Sequence, residues 1–169
     1  MTKGFRNVSA MPPFRTLFVC MGNICRSPAG EAVFRAFVER EGLADRIECD
    51  SAGTIGYHSG SAPDSRMRQE GKRRGIAVNG SARQVRPQDL QDFDLILAMD
   101  NSNLDYLRDL EAKSPGRARI EAFCDYVTDS DATEVPDPYY GGPEGFAEVF
   151  DLLEDGCAEL LRSIRAQLA

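Results

Sequence analysis

Cys20 and Arg26 bracket the segment Met21-Gly22-Asn23-Ile24-Cys25, and Ser27 and Pro28 follow directly. The apolar run Leu17-Phe18-Val19 leads into Cys20 and reads as a strand, while Ser27-Pro28 opens a helix. Between them lies a tight loop whose backbone N–H groups converge at a helix N-terminus, the usual cradle for an anion. A thiol at that place is shifted toward the thiolate, its nucleophilic form. The guanidinium of Arg26 offers two parallel donors to a tetrahedral oxyanion. Nucleophile, cradle and fork together point to phosphoryl transfer through a cysteine.

Several loop residues suit this chemistry. Gly22 permits close backbone approach, and Asn23 tolerates a left-handed conformation while its amide stiffens the turn. Ser27 has two readings, a helix N-cap or a hydroxyl donor to the Cys20 thiolate. Gly30 stands where a capping box would need Glu or Gln. A leaving alkoxide or phenoxide also needs a proton. Asp137 is the candidate donor, held between Pro136 and Pro138, which fix the backbone in an extended form. Its plainer reading is an exposed carboxylate in a proline-rich turn. Tyr139 and Tyr140 either wall an aromatic substrate or pack the loop down.

The elements that must position these groups follow from hydrophobic periodicity. Residues 15–20 form the first strand. The helix after it presents Ala29, Ala32, Val33, Ala36 and Phe37 on one face, with Glu31 and Arg35 outside as an i,i+4 pair, and ends at Gly42. Residues 46–52 read as a second strand, running into a Gly-rich loop over 53–60. A polar helix starts at Asp64 and stops at Gly75. Residues 76–86 read mostly as loop, and 93–99 as the clearest further strand. Asp100 caps a helix reaching about Glu111, and 118–123 form a short fourth strand. Residues 128–143 make a long loop, a frequent site of function. The last helix carries Phe146, Val149, Phe150, Leu153, Cys157, Leu160, Leu161, Ile164 and Leu168 at helical period. Strands alternating with helices give a single α/β domain with a mostly parallel sheet. Its ligands bind beyond the carboxyl ends of the strands, where Cys20, Ser51 and Asp100 fall.

Composition narrows the function. The 169 residues carry a formal net charge of -7, which argues against a general nucleic-acid or membrane surface but not against a local positive pocket. No apolar run approaches the roughly 18 residues of a membrane span, and no secretory signal is visible. Residues 1–13 are polar and end in prolines, as expected of a flexible extension ahead of a domain over 14–169. Cys20, Cys25, Cys49, Cys124 and Cys157 are an odd set of cysteines without a secretory signal, which predicts free thiols in a reducing, cytoplasmic compartment. Cys49, Cys124 and Cys157 read as small core hydrophobes. The Cys20–Cys25 spacing is too wide for a zinc knuckle and His58 stands alone, so no metal is expected.

The chain resembles the low-molecular-weight protein tyrosine phosphatases. The resemblance rests on Val19 to Pro28, on Asp50-Ser51-Ala52-Gly53-Thr54, on Ala82-Arg83-Gln84 with Phe93-Asp94, on Ala98-Met99-Asp100 and on Asp137-Pro138-Tyr139-Tyr140. It implies a four-stranded parallel twisted sheet with helices on both faces and a cofactor-free, metal-free hydrolysis of phosphotyrosine in proteins by a monomer or weak dimer. It further implies that Cys20 attacks phosphorus, that Arg26 and the amides of residues 21–27 bind the phosphate, and that Asp137 acts as acid and then base. Ser27 would stabilise the thiolate, and Asn23 and Ser51 would brace the loop. Ile24, Tyr57 and Tyr139, with Tyr140 beside it, would wall the substrate ring. Cys25 would be the partner of Cys20 in a reversible disulfide.

Departures are also visible. Arg74 stands where many members have histidine, so a supporting contact to the loop is expected to differ. Tyr57 replaces a tryptophan of some members. An arsenate reductase of the same fold needs a resolving cysteine pair, and residues 99–113 contain none. A phosphoarginine phosphatase is a second rival, but the apolar Ile24 favours a flat aromatic ring, where threonine stands in that group. A silent phosphotyrosine-binding module would lack one of Cys20, Arg26 or Asp137.

Overall fold

Residues 11–169 of the protein are described by a computed structural model. Four strands, β1 (Phe14–Cys20), β2 (Ile47–Gly53), β3 (Leu95–Ala98) and β4 (Arg119–Ala122), lie in the order β2-β1-β3-β4, and every pairing is parallel. Apolar residues run without interruption from Leu17 to Cys20 of β1 and along all of β3, and these stretches are buried on both faces. Phe18, Leu95 and Leu97 point to one side and pack with α1 (Arg26–Arg40) and α5 (Pro143–Leu168). Leu17, Val19, Ile96 and Ala98 point to the other, against Leu90 of the one-turn α3 (Asp89–Asp92) and Leu107 of α4 (Asn101–Lys113). The two cores are the two faces of one sheet. The expected α/β architecture, with helices on both faces, is the one observed.

The α5 periodicity resolves as expected, with Phe146 to Ile164 buried at every core position and Leu168 half-buried. Each such side chain stabilises the fold by about 1.5–3 kcal/mol over leaving it in water. In α1 the buried surface is broader than one stripe. Phe34 and Val38 are buried, whereas Ala36 and Phe37 are only partly so. The first turns of α1 lie between the sheet and α5, so almost every residue there is covered. Glu31 is therefore not on the outside; it is buried, although its pair with Arg35 does form at 2.7 Å.

The short α3 and a 3-10 turn over Phe123–Tyr126 have no periodicity long enough to read from sequence. The third strand is shorter than expected. Phe93 caps α3 through Asp89, and the Asp94 carboxylate accepts the Arg15 N–H at 2.8 Å. Helix α2 (Ser65–Arg73) is capped by Asp64 and ends at Gly75, whose φ of 76° needs glycine. Among the described residues no helix is long and apolar enough to cross a membrane. Of the expected extension over 1–13, residues 1–10 lie outside the described residues.

Candidate active site

The chain leaves β1 toward β2 on one side and later returns to β3 on the other. That topological switch opens a crevice at the carboxyl end of β1. Cys20 is the last residue of β1, residues 21–25 make the loop, and Arg26 opens α1. No side chain caps the N-terminus of α1, so its first amides remain directed at the loop. Neighbouring strand ends hold the loop in place. Thr54 N–H donates to Cys20 O at 2.9 Å and Ile55 N–H to Met21 O at 3.1 Å. Gly53 pairs with Cys20 in register, and a Cβ there would stand 2.6 Å from Met21 O. Only glycine lets β2 approach this closely.

Asn23 takes the left-handed conformation, φ 57°. Its Nδ2 donates to Ser27 Oγ at 2.8 Å and Ser51 Oγ at 3.0 Å, while its Oδ1 accepts from Arg83 N at 3.0 Å. Ser27 Oγ lies 3.0 Å from Cys20 Sγ. It faces the thiol from inside α1 instead of capping the helix. Ser51 Oγ donates in turn to Glu31 Oε1 at 2.8 Å. Burial pushes the Glu31 carboxyl above the usual range, against the opposing pull of Ser51 and Arg35. A continuous buried chain thus runs Glu31–Ser51–Asn23–Ser27–Cys20. Such a network fixes geometry because leaving any member unpaired is costly.

Arg26 is 3% exposed. Its Nη1 donates to Asp100 Oδ2 at 2.6 Å and to Val135 O at 3.0 Å, and its Nη2 lies 3.7 Å from Asp137 Oδ2. Burial works against the charge, but the Cys20 sulfur, Asp100 and Asp137 outweigh it and raise the pKa above the usual arginine value. The 128–143 loop is fastened at this point, because Val135 N–H also donates to Met99 O at 2.8 Å. Two residues on, Asp137 projects over the crevice with its side chain 38% exposed. Its Oδ1 accepts the Tyr139 N–H at 3.1 Å, which closes an Asx turn.

A cleft of about 410 Å³ is lined by Cys20, Met21, Gly22, Ile24, Cys25, Arg26, Tyr57, Asp137, Tyr139 and Tyr140. Asn23, Ser27 and Ser51 stand behind it in the buried network. Tyr57 and Tyr140 are highly exposed at the mouth, and Tyr139 is exposed to a lesser degree. Cys25 is buried, and its pKa is pushed up to about 12, first by burial and then by Asp64. At neutral pH it is a thiol.

Sequence reasoning missed part of this site. Asp100 was legible as a residue at a strand end, but its pairing with Arg26 was not. Glu31 read as a surface charge. Ile55 and His58 also line the cleft, and His58 stacks edge-to-face on Tyr57 at 4.9 Å; nothing in their local sequence signals it. Arg74 hydrogen-bonds Glu70, Asp151, Glu154 and Ala147 O. The Arg83 amide instead contacts Asn23. Among the described residues no group of three or more His, Cys, Asp or Glu side chains is arranged to hold a metal ion.

A parallel α/β sheet carrying a cysteine, a helix N-terminus, an arginine and a carboxylate at one strand end defines a cysteine-based phosphohydrolase architecture. Residues 15–169 match the family model for low molecular weight phosphotyrosine protein phosphatases. The chain is 47% identical over 152 residues to the low molecular weight protein-tyrosine-phosphatase YfkJ of Bacillus subtilis, covering 89% of this chain and 96% of that one. A protein tyrosine phosphatase structure from Entamoeba histolytica superposes with a TM-score of 0.86 at 45% identity, over 92% of this chain and 99% of that one. A Drosophila arginine phosphatase gives 0.83 at 35% identity, over 88% and 96%. The chain belongs to the low molecular weight phosphotyrosine protein phosphatases, a family of cysteine-dependent hydrolases.

Proposed function

We propose that this chain dephosphorylates phosphotyrosine in proteins through a phosphocysteine formed on Cys20. The observation that carries this reading is the joint presence of Cys20, Arg26 and Asp137 around one cleft, with Ser27 Oγ 3.0 Å from the sulfur. The Cys20 thiolate attacks phosphorus in line with the departing phenoxide. Arg26 and the amides of residues 21–27 take the equatorial oxygens, where charge develops. Asp137 donates its proton to the phenolic oxygen as the P–O bond breaks. The resulting carboxylate then accepts a proton from water, whose oxygen attacks the phosphocysteine, and release of inorganic phosphate restores the thiolate.

Ser27, Asn23 and Ser51 hold the loop and the sulfur in place. Ile24 and Tyr139 flank the ring, with Tyr57 and Tyr140 at the rim. This apolar and aromatic lining favours a flat aryl phosphate over a phosphorylated guanidinium, which is why the tyrosine reading leads over that of the arginine phosphatase. Cys25 is the resolving thiol for an oxidised Cys20. The free cysteines among the described residues support a reducing, cytoplasmic compartment.

The decisive experiment is Cys20→Ser. It should abolish p-nitrophenyl phosphate hydrolysis while phosphate still binds. Substantial turnover in that variant would overturn the thiolate mechanism.

A further inference from the structure

Beside the catalytic cleft runs a second groove, of about 750 Å³, in which Arg66, Lys72 and Arg73 of α2 face Gly141, Gly142 and Phe146. Within residues 65–74 there are five cationic side chains (Arg66, Arg68, Lys72, Arg73, Arg74) and one anionic, Glu70, in a chain whose net charge is -7. In the groove Arg66 pairs with Asp64 and Arg73 with Glu70, and Lys72 adds a further exposed positive charge. Lys72 and Arg68 are exposed and have no ion-pair partner among the described residues.

The groove adjoins the catalytic cleft across residues 139–142. Tyr139 walls the cleft, and the Arg66 guanidinium lies over its ring at 5.3 Å and over Phe146 at 4.8 Å. Asp64, the cap of α2, donates its N–H to Ile24 O of the phosphate loop at 2.7 Å. The helix is thus fastened to the loop, and residues 139–142 form the ridge between the two depressions. An extended peptide advances about 3.3 Å per residue, so residues a few positions from the phosphotyrosine cross this ridge and meet α2.

We propose that this groove docks the acidic sequence flanking a phosphotyrosine in a polypeptide substrate. The inference rests on the phosphotyrosine reading above and adds a sequence preference to it. Exposed charge pairs are individually weak, and two or three together give on the order of a tenfold preference at low salt, screened as salt rises.

The test compares kcat/KM on phosphotyrosine peptides with Asp/Glu-rich, neutral and Lys-rich flanks. Wild type, Lys72→Glu/Arg73→Gln and the milder Lys72→Ala are compared, with p-nitrophenyl phosphate as the control and thermal melts to check folding. Wild type should favour the acidic peptide about tenfold, through KM and not kcat, and the preference should fall below about twofold in high salt. The double variant should lose it with p-nitrophenyl phosphate turnover unchanged, and Lys72→Ala should lose part of it. Equal kcat/KM on the acidic and neutral peptides, or a preference that survives the double variant, would overturn the docking surface. No turnover of any peptide despite p-nitrophenyl phosphate hydrolysis would instead sink the phosphotyrosine reading.

Discussion

Asp100 does two jobs with one carboxylate, and two substitutions separate them. Oδ2 accepts from the buried Arg26 at 2.6 Å, while Oδ1 accepts the Asn103 N–H at 2.8 Å and caps α4. Asp100→Ala removes both. Loss of the cap costs about 1 kcal/mol, and loss of a hydrogen bond to a charged group about 1.5–3 kcal/mol. The sum is about 2.5–4 kcal/mol, or a melting temperature lower by about 5–15 °C for a chain of this size. Asp100→Asn keeps an oxygen for the cap but removes the charge facing Arg26, so it should cost only the Arg26 share, about 1.5–3 kcal/mol. Turnover should follow the Arg26 contact and not the cap. Both variants free the guanidinium to turn from the phosphate, and a loss of about 10–100-fold in kcat corresponds to roughly 1.4–2.7 kcal/mol of transition-state stabilisation. Thermal melts and steady-state hydrolysis of an aryl phosphate measure the two quantities on the same samples. Wild-type turnover in Asp100→Asn would refute the argument that this carboxylate orients Arg26.

Asp137→Ala should slow turnover of aryl phosphates by about 10²–10⁴, the usual worth of a general acid; an effect below about threefold would place the proton donor elsewhere. Because burial holds the Cys25 pKa at about 12, its attack on a sulfenic Cys20 should accelerate about tenfold per pH unit between roughly pH 6 and 9, following the thiolate fraction. Peroxide inactivation should then be reversible by dithiothreitol in the wild type and irreversible in Cys25→Ala, and full recovery of that variant would remove Cys25 from the redox scheme. Hydrogen bonds from Arg73 and then Arg74 hold the Glu70 carboxyl down at about 2. A lowered folded-state pKa gives stability that is complete above the unfolded value of about 4.3 and is lost as pH falls through 2. The melting-temperature gap between wild type and Glu70→Gln should therefore narrow from pH 5 to pH 2.5, and a constant gap would mean that the ion pairs contribute nothing.

Local chemistry made much of the loop over residues 20–26 readable. Cys20, Gly22, Asn23 and Arg26 are recognisable because each residue type suits one task at a strand–loop–helix junction, and the structure gives Asn23 the positive φ that its type tolerates. The strands of the sheet and the long α5 were legible for the same reason. Their apolar patterns are long enough to set a period, whereas α3 and the 3-10 turn are not. Asp137 could be singled out by its flanking prolines, but not its approach to Arg26.

What the sequence determined by itself is therefore the class of chemistry and the alternation of elements, both written in residues close along the chain. The tertiary structure decided which distant residues share the crevice. The β2-β1-β3-β4 order brings Gly53 and Asp100 to the end of β1, and the Val135–Met99 bond then carries Asp137 across more than a hundred residues of chain to the same arginine. It also turned Glu31 from an expected surface charge into a buried acceptor for Ser51. Periodicity along one helix cannot report how many neighbours enclose it. That depends on where β2 and α5 come to rest, which is a property of the packed molecule.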